Sequence, residues 1–404
     1  MDKSFTLTGF GSAAVHAGHV QDPNYAHQVP IYATSTFLFD TAEQGMHRFS
    51  GEEKGYLYSR WGNPTCNEAE QKIAALESFG LKKEVRGILH ASGMAAITTL
   101  FLSNLKKGDK VLTHFSLYGG TDEILTRILP GLGIEAVIVD LRATTRLEDL
   151  IRKDPSIKMM YLETPANPTI QCVNLEELSG IAKKHGIITA CDNTFATPYL
   201  QQPFSYDIDF VIHSTTKFLN GHGTAIGGIL LGSDIDFMNS KATKFQRLLG
   251  GNSNPFDAFL LVQGIKTLEL RMDRHCSNAM AIAEFLEKND AVSRVNYTGL
   301  ASHPDHLIAR KQMKQAGGML SFELKQGLSG GINFMNRLKM CLRTVSLGTV
   351  DTLLSHPASM THYSVPKEQR EKYGISDGLI RMNVGIENVA DIISDLEQAL
   401  DASK

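Results

Sequence analysis

The stretch DFVIHSTTKFLN, Asp209 to Asn220, passes from an apolar triplet, Phe210-Val211-Ile212, through His213 and three hydroxyl-bearing residues to Lys217. A short apolar run that ends in hydroxyls reads as a buried strand handing over to a helix. Taken alone, Lys217 is then a solvated side chain in a first helical turn. Its surroundings along the chain give it another meaning.

Outward from this stretch, between residues 66 and 263, strand and helix patterns alternate. CNEAEQKIAALESF and GMAAITTLFLSNL have helical spacing, whereas RGILHA, KVLTHF, EAVIVDL, MMYLET, IITACDN and DFVIHS are short apolar strands. Such alternation predicts an α/β domain with a mostly parallel sheet covered on both faces, whose ligands sit at the carboxyl ends of the strands. Residues 1–65 read as an irregular arm rich in Gly, Pro and aromatic residues, which needs a surface to pack against. From residue 264 to 404 the rhythm changes. A long helical segment, GIKTLELRMDRHCSNAMAIAEFLEKN, is followed by alternating strands such as MLSFELK and LIRMNVG. Ile386, Val389, Ile392, Ile393, Leu396 and Leu400 then close a smaller α+β domain with an amphipathic helix.

The bulk numbers exclude several classes. With 404 residues the chain exceeds one ordinary core, and 42% hydrophobic with 21% charged residues describes a globular protein. A formal net charge of -3 lacks the basic surface that nucleic acid or anionic membrane partners require. No run reaches the ~18 apolar residues of a spanning helix, and MDKSFTLTGFGSAAVHAG is too polar for a signal peptide, so a cytoplasmic enzyme is expected. Five scattered cysteines without a CxxC pair and 14 histidines without a ligand spacing point to reduced thiols and to no metal. Cys191 is expected to pack in the core, and His213, His222 and His275 to make structural hydrogen bonds.

Four strand ends carry polar residues. IITACDNT places Asp192 and Asn193, MMYLETPANPT places Glu163 and Asn167, RGILHASGMAAI places Ser92 and Gly93, and FVIHSTTK places Ser214, Thr216 and Lys217. Each alone is an ordinary turn or cap. Together they form a site: a helix N-terminus for a phosphate, a carboxylate for a pyridinium nitrogen and an amine for an aldehyde. Those are the three handles of pyridoxal 5'-phosphate (PLP).

Here the chain resembles the trans-sulfuration, or Cys/Met-metabolism, family of fold-type I PLP enzymes over nearly its whole length, which implies an aspartate aminotransferase-like large domain with a mostly parallel seven-stranded sheet beside the smaller α+β domain. The carrying motifs are YSRWGNPT, ASGMAAI, YGGT, YLETPANPT, DNTFATPYLQQP, HSTTKFLNGHGT, GIKTLELRMDRH and SLGTVDTLLSHPASMTH. The resemblance implies that Lys217 is the Schiff-base lysine and that Asp192 partners the pyridine nitrogen. It implies that Tyr118 stacks on the cofactor ring and serves as acid or base near the substrate γ-carbon. Ser92 opens the phosphate loop, and the Gly93 and Met94 amides, Ser214 and Thr216 would bind the phosphate. Tyr58 and Arg60 would reach the phosphate of a neighbouring subunit, which makes a homodimer the minimum unit and a dimer of dimers the expected assembly. Arg381 stands alone on the strand face opposite Ile380, Met382 and Val384. By the same resemblance it grips the substrate carboxylate, helped by Ser346 and Asn167.

Within the family, members that handle cystathionine carry charged groups for its distal end at positions held here by Leu57, Glu123 and Val345. Their loss or reversal favours a small apolar γ-substituent. The overall likeness is nearest to the methionine γ-lyases, which implies γ-elimination of L-methionine to methanethiol, 2-oxobutanoate and ammonia. Three departures keep an O-acetylhomoserine sulfhydrylase and a cystathionine γ-lyase or synthase open. Gly120 stands where the lyases have cysteine, and Gln246 and Arg247 stand where they have a Lys-Asp pair.

Overall fold

The computed structural model describes residues 6–363 and 365–401. Seven strands form the larger sheet: β1 (Arg86–His90), β2 (Lys110–His114), β3 (Glu135–Val139), β4 (Ile157–Glu163), β5 (Ile188–Asp192), β6 (Phe210–His213) and β7 (Gly228–Gly232). Their order is β1-β7-β6-β5-β4-β2-β3, and β7 alone runs antiparallel to its neighbours. The mostly parallel α/β sheet expected from the alternating pattern is therefore present, with the seven strands that the family resemblance implied.

Why the strands are apolar throughout is visible in the packing. Along β4, Met159 and Tyr161 enter one apolar cluster and Met160 and Leu162 the other; along β6, Phe210 and Ile212 part from Val211 in the same way. Successive side chains leave opposite faces of a strand, so a sheet covered on both sides must be apolar at every position. Helix Gly93–Asn104 packs on one face and helix Pro64–Glu77 on the other. Asn63 caps the latter and Pro64 sits at its first position, where a missing N–H costs nothing.

β7 is the strand that the pattern did not show. It is a five-residue strand in which three apolar residues, Ile229-Leu230-Leu231, are bounded by Gly228 and Gly232. A Cβ at Gly228 would lie 2.3 Å from the Ser92 carbonyl oxygen, so only glycine lets β7 start against that turn.

The smaller sheet has the order β10-β11-β12-β9-β8, with β8 (Val292–Asn296), β9 (Met319–Leu324), β10 (Leu342–Arg343), β11 (Leu353–Ser355) and β12 (Leu379–Asn383). Its core takes Ile380 and Met382 from β12, Val384 directly after it, and Ile392, Leu396 and Leu400 from the last helix, Val389–Asp401. The long helical segment starting at Gly264 is in fact the end of helix Pro255–Ile265, a break at Lys266–Thr267, and helix Leu268–Glu287. Buried Arg271 explains the break. Its guanidinium donates to the carbonyls of Gly264, at 2.8 Å, and of Phe218, at 2.8 Å, which closes the first helix and braces the segment that follows Lys217. The N-terminal arm contains two short helices, Phe10–His16 and Ala42–Ser50. No helix of the described residues is long and apolar enough to cross a membrane.

Candidate active site

At the carboxyl ends of β4, β5 and β6 the chain encloses a cavity of about 960 Å³. Glu163 and Asp192 end β4 and β5 and face each other in register. They share one face because each lies two residues beyond a side chain on that face, Tyr161 and Ala190. Ser214, Thr216 and Lys217 enter from the turn after β6, and Ser92, Gly93 and Met94 from the turn after β1. The smaller domain contributes Val345, Ser346 and Arg381, and two loops contribute Tyr118, Gly120 and Asn167. Fourteen of the residues singled out in the sequence thus line one space.

Leu57, Tyr58 and Arg60 do not. Leu57 and Arg60 line a separate cavity in which Arg60 donates to the Arg247 carbonyl at 3.1 Å and Arg247 donates to that of Trp61 at 2.7 Å. Tyr58 is 42% exposed. Gln246 lines this second cavity as well. Cys191 is buried in the core, His213 pairs with buried Glu77 at 2.5 Å, and His275 meets the Val384 carbonyl at 2.6 Å, all structural contacts. His222 sits on the Asn220 carbonyl at 2.7 Å.

The charges in the main cavity are shaped by burial. Lys217 Nζ donates to Ser346 Oγ at 3.3 Å, and burial, with Arg381 adding repulsion, pushes its pKa down to about 8. Arg381 donates to the carbonyls of Val345, at 2.8 Å, and Ser346, at 3.0 Å, and to Asn167 Oδ1, at 3.3 Å. Its Nε is buried without a partner. A guanidinium with one unsatisfied N–H in a cavity wall is prepared for an incoming carboxylate. Asp192 accepts from the Thr194 N–H at 3.0 Å and from Tyr161 Oη at 3.4 Å, yet burial raises it above the usual carboxylate range. Glu163 is pushed up to about 8 by burial and by Asp192 beside it.

Residues 11–401 match the model of the Cys/Met metabolism PLP-dependent enzyme family. The chain belongs to this family. An L-methionine γ-lyase of Fusobacterium nucleatum is 46% identical, covering 98% of each chain, and one of Porphyromonas gingivalis is 44% identical, again covering 98% of each. Among solved structures, a cystathionine γ-synthase of Xanthomonas oryzae pv. oryzae superposes with a TM-score of 0.91 at 36% identity, covering 98% of this chain and 99% of that one.

The family's cofactor is PLP, and the residues present fit it. Helix Gly93–Asn104 opens on the cavity with its first N–H groups free of intrahelical partners; Ser92 spends its own side chain on capping Ala95 N at 3.1 Å. A Cβ at Gly93 would come within 3.0 Å of Ser214 Cβ, so the turn and the Ser214 segment form a cradle that a side chain would fill. The Thr216 hydroxyl is less available than the sequence implied. It accepts from Gly227 N at 3.0 Å and donates to Gly227 O at 3.2 Å, which ties the lysine turn to the start of β7.

Two expected outcomes follow from this geometry. Only the free amine of Lys217 can attack an aldehyde, so uptake of PLP by apo-protein should accelerate with pH through a midpoint near 8, the value that burial imposes. A stopped-flow pH series checks this; a midpoint near that of an ordinary lysine contradicts it. At position 120, a Cβ would lie 2.7 Å from the Tyr118 ring and 2.9 Å from Met94 Sδ. Gly120→Ala should therefore push the ring aside and lower kcat by roughly 10- to 100-fold, the scale of an ångström-sized misplacement, with PLP affinity kept. Unchanged kcat would show that the ring has room to spare.

Proposed function

We propose that this protein is a PLP-dependent carbon–sulfur lyase that converts L-methionine and water to methanethiol, 2-oxobutanoate and ammonia. The observation that carries this reading is the pairing, in one cavity, of a buried low-pKa amine at Lys217 with a buried guanidinium at Arg381 whose Nε is unpartnered. The named relatives at 46% and 44% identity support the same reaction.

When bound, PLP supplies an electron sink for the negative charge that develops at the amino acid's Cα. Gly93 and Met94 N–H groups and the Ser214 hydroxyl would hold its phosphate, and Asp192 would keep its ring nitrogen protonated. Arg381, set by Asn167 and the Ser346 segment, fixes the substrate carboxylate. Lys217 would take the proton from Cα, release it, and as a free amine again take a second from Cβ, a cycle that an amine with a pKa of about 8 can complete near neutral pH. Tyr118, 47% exposed at the cavity mouth, stacks on the ring and gives a proton to the departing sulfur. Val345 leaves the γ-substituent an uncharged setting, where a methylthio group is accepted and a distal ammonium or carboxylate is not, and Leu57, which lies outside this cavity, would add to that setting only from the arm of a neighbouring copy.

Tyr58 and Arg60 face away from this cavity, and the arm that carries them exposes Leu38 at 90%, Phe49 at 64% and Met46 at 61%. Such a surface favours packing against a second copy, with Tyr58 and Arg60 reaching the neighbour's phosphate and two dimers forming a tetramer. The units are an arm (1–65), a PLP-binding domain (66–263) and an α+β domain (264–404). All five cysteines are free thiols, in keeping with the reducing cytoplasm.

Gly120 favours a second reading, because it leaves the cavity wall without the thiol that the family's methionine lyases have there. The test is an end-point assay of PLP-loaded protein with L-methionine, reading 2-oxobutanoate and thiol, beside O-acetylhomoserine with sulfide, reading homocysteine. Dominant keto-acid release supports the lyase. Dominant homocysteine formation makes the protein a sulfhydrylase instead.

A further inference from the structure

Glu163 has no part in the chemistry above, yet it lines the cavity at only 6% exposure, directly beside Asp192. Both of its oxygens are engaged by backbone. Oε2 accepts from Tyr118 N at 2.8 Å, and Oε1 accepts from Asn167 N at 2.9 Å. The Asn167 side chain in turn accepts from Arg381. A continuous hydrogen-bonded path therefore runs from the guanidinium through Asn167 and the Glu163 carboxylate to the backbone of Tyr118.

The loop on one side of that path is tightly determined. Ala166 N donates to Gln171 O at 2.9 Å, Ile170 N donates to Ala166 O at 2.8 Å, and Ser116 and Thr169 share a hydroxyl bond of 2.7 Å. Buried Ile170 sits at φ +59°, a left-handed conformation that costs a β-branched residue about 1–3 kcal/mol and persists only where its surroundings enforce it. On the other side, no side chain caps the helical turn that begins at Gly119, directly after Tyr118. The Tyr118 backbone is held to the rigid loop through Glu163, beside the Ser116–Thr169 bond two residues earlier.

We propose that Glu163 is a positioning residue that locks Tyr118 to the substrate-carboxylate clamp, so that the proton donor and the clamp hold one mutual geometry. This rests on the roles given above to Tyr118 and Arg381. The side-chain chemistry fits the task. Two N–H donors need two acceptor oxygens, which a carboxyl group offers; glutamine offers one, and turns an N–H toward the other backbone donor. Placing a carboxyl group next to buried Asp192 is costly, and neither packing nor solubility calls for it.

The test uses Glu163→Gln in PLP-loaded protein. Hydrogen exchange without substrate should show the amides of Tyr118 and Asn167 exchanging faster, with PLP affinity unchanged within about 3-fold. On whichever of methionine or O-acetylhomoserine the unsubstituted protein turns over, kcat should fall by about 10²-fold, as for an ångström-sized misplacement, while KM moves little. In a Tyr118→Phe background the same change should cost almost nothing, because the group it positions is gone. Equal losses in both backgrounds, or unaltered exchange at both amides, would overturn the proposal. The exchange measurement needs no turnover, so it stands even where the proposed reaction fails. Should Glu163→Gln not fold, Glu163→Asp, which keeps the carboxyl group but is one methylene too short to reach both donors, takes its place with the same outcomes.

Discussion

Lys217→Ala is expected to abolish turnover and, with it, the visible absorbance of the PLP-loaded protein. The amine is the one lysine in the cavity wall, and both the aldehyde and the Cα proton depend on it in the proposed chemistry. Loss of a positioned proton carrier alone reaches about 10⁴-fold, and loss of the covalent attachment adds to it. The fold should survive. The lysine turn is held by backbone contacts, Lys217 N to Ser214 O at 3.1 Å and Gly221 N to Lys217 O at 2.8 Å, and by Arg271 on the Phe218 carbonyl. The phosphate cradle at Gly93 and Ser214 is also untouched, so the variant should still bind PLP, more weakly and without the covalent chromophore. Absorption spectra, equilibrium dialysis and a melting curve of the apo-protein separate these effects. A variant that kept both turnover and chromophore would remove Lys217 from the reaction; one that merely unfolded would show it in the melting curve.

What could be read in advance was whatever is local in sequence and periodic. A strand end followed by a turn puts its polar residues at the edge of a parallel sheet whatever the tertiary details, so Asp192, Asn167, Ser214 and Lys217 could be assigned to one site before any coordinates. Arg381 was legible for the same reason: a charge between Ile380 and Met382 must face away from the core. β7 was not legible, because three apolar residues between glycines carry no period and its place depends on Ser92, well over a hundred residues earlier. The break at Lys266–Thr267 was hidden since Arg271 and the carbonyls it satisfies are brought together only by folding. Glu163 shows the limit most clearly. Its strand-end position was visible, but its bond to Tyr118 spans 45 residues, and nothing in the order of residues announces a backbone donor as the partner of a carboxylate. The hydroxyl of Thr216 erred in the opposite direction. Residue type suited a phosphate, while the nearby Gly227 backbone took up both its donor and its acceptor capacity.

Arg381→Lys should separate carboxylate recognition from the rest of the site. The guanidinium uses one nitrogen on the carbonyls of Val345 and Ser346 and another on Asn167, leaving the buried Nε edge for the substrate. A lysine has three donors at one point and no flat edge, so it can keep the protein contacts or the substrate contact, but not both in one plane. Truncating one member of a buried charged pair costs about 2–5 kcal/mol, which corresponds to roughly 30- to several-thousand-fold in kcat/KM. The loss should fall mainly on KM if the clamp acts equally on bound substrate and transition state, and on kcat if it also aligns Cα with Lys217. Because Arg381 also lowers the pKa of Lys217 by repulsion, its removal with Arg381→Ala should let the apo-protein's PLP uptake midpoint rise above 8. Burial, the larger cause, remains, so the rise stops short of an ordinary lysine. A steady-state comparison on methionine, with decarboxylated methionine as the control substrate, decides the matter. If Arg381 grips the carboxylate, the unsubstituted protein prefers methionine strongly and the variant loses that preference. If both proteins discriminate equally, the carboxylate is held elsewhere, and the unpartnered Nε in the cavity wall has another role.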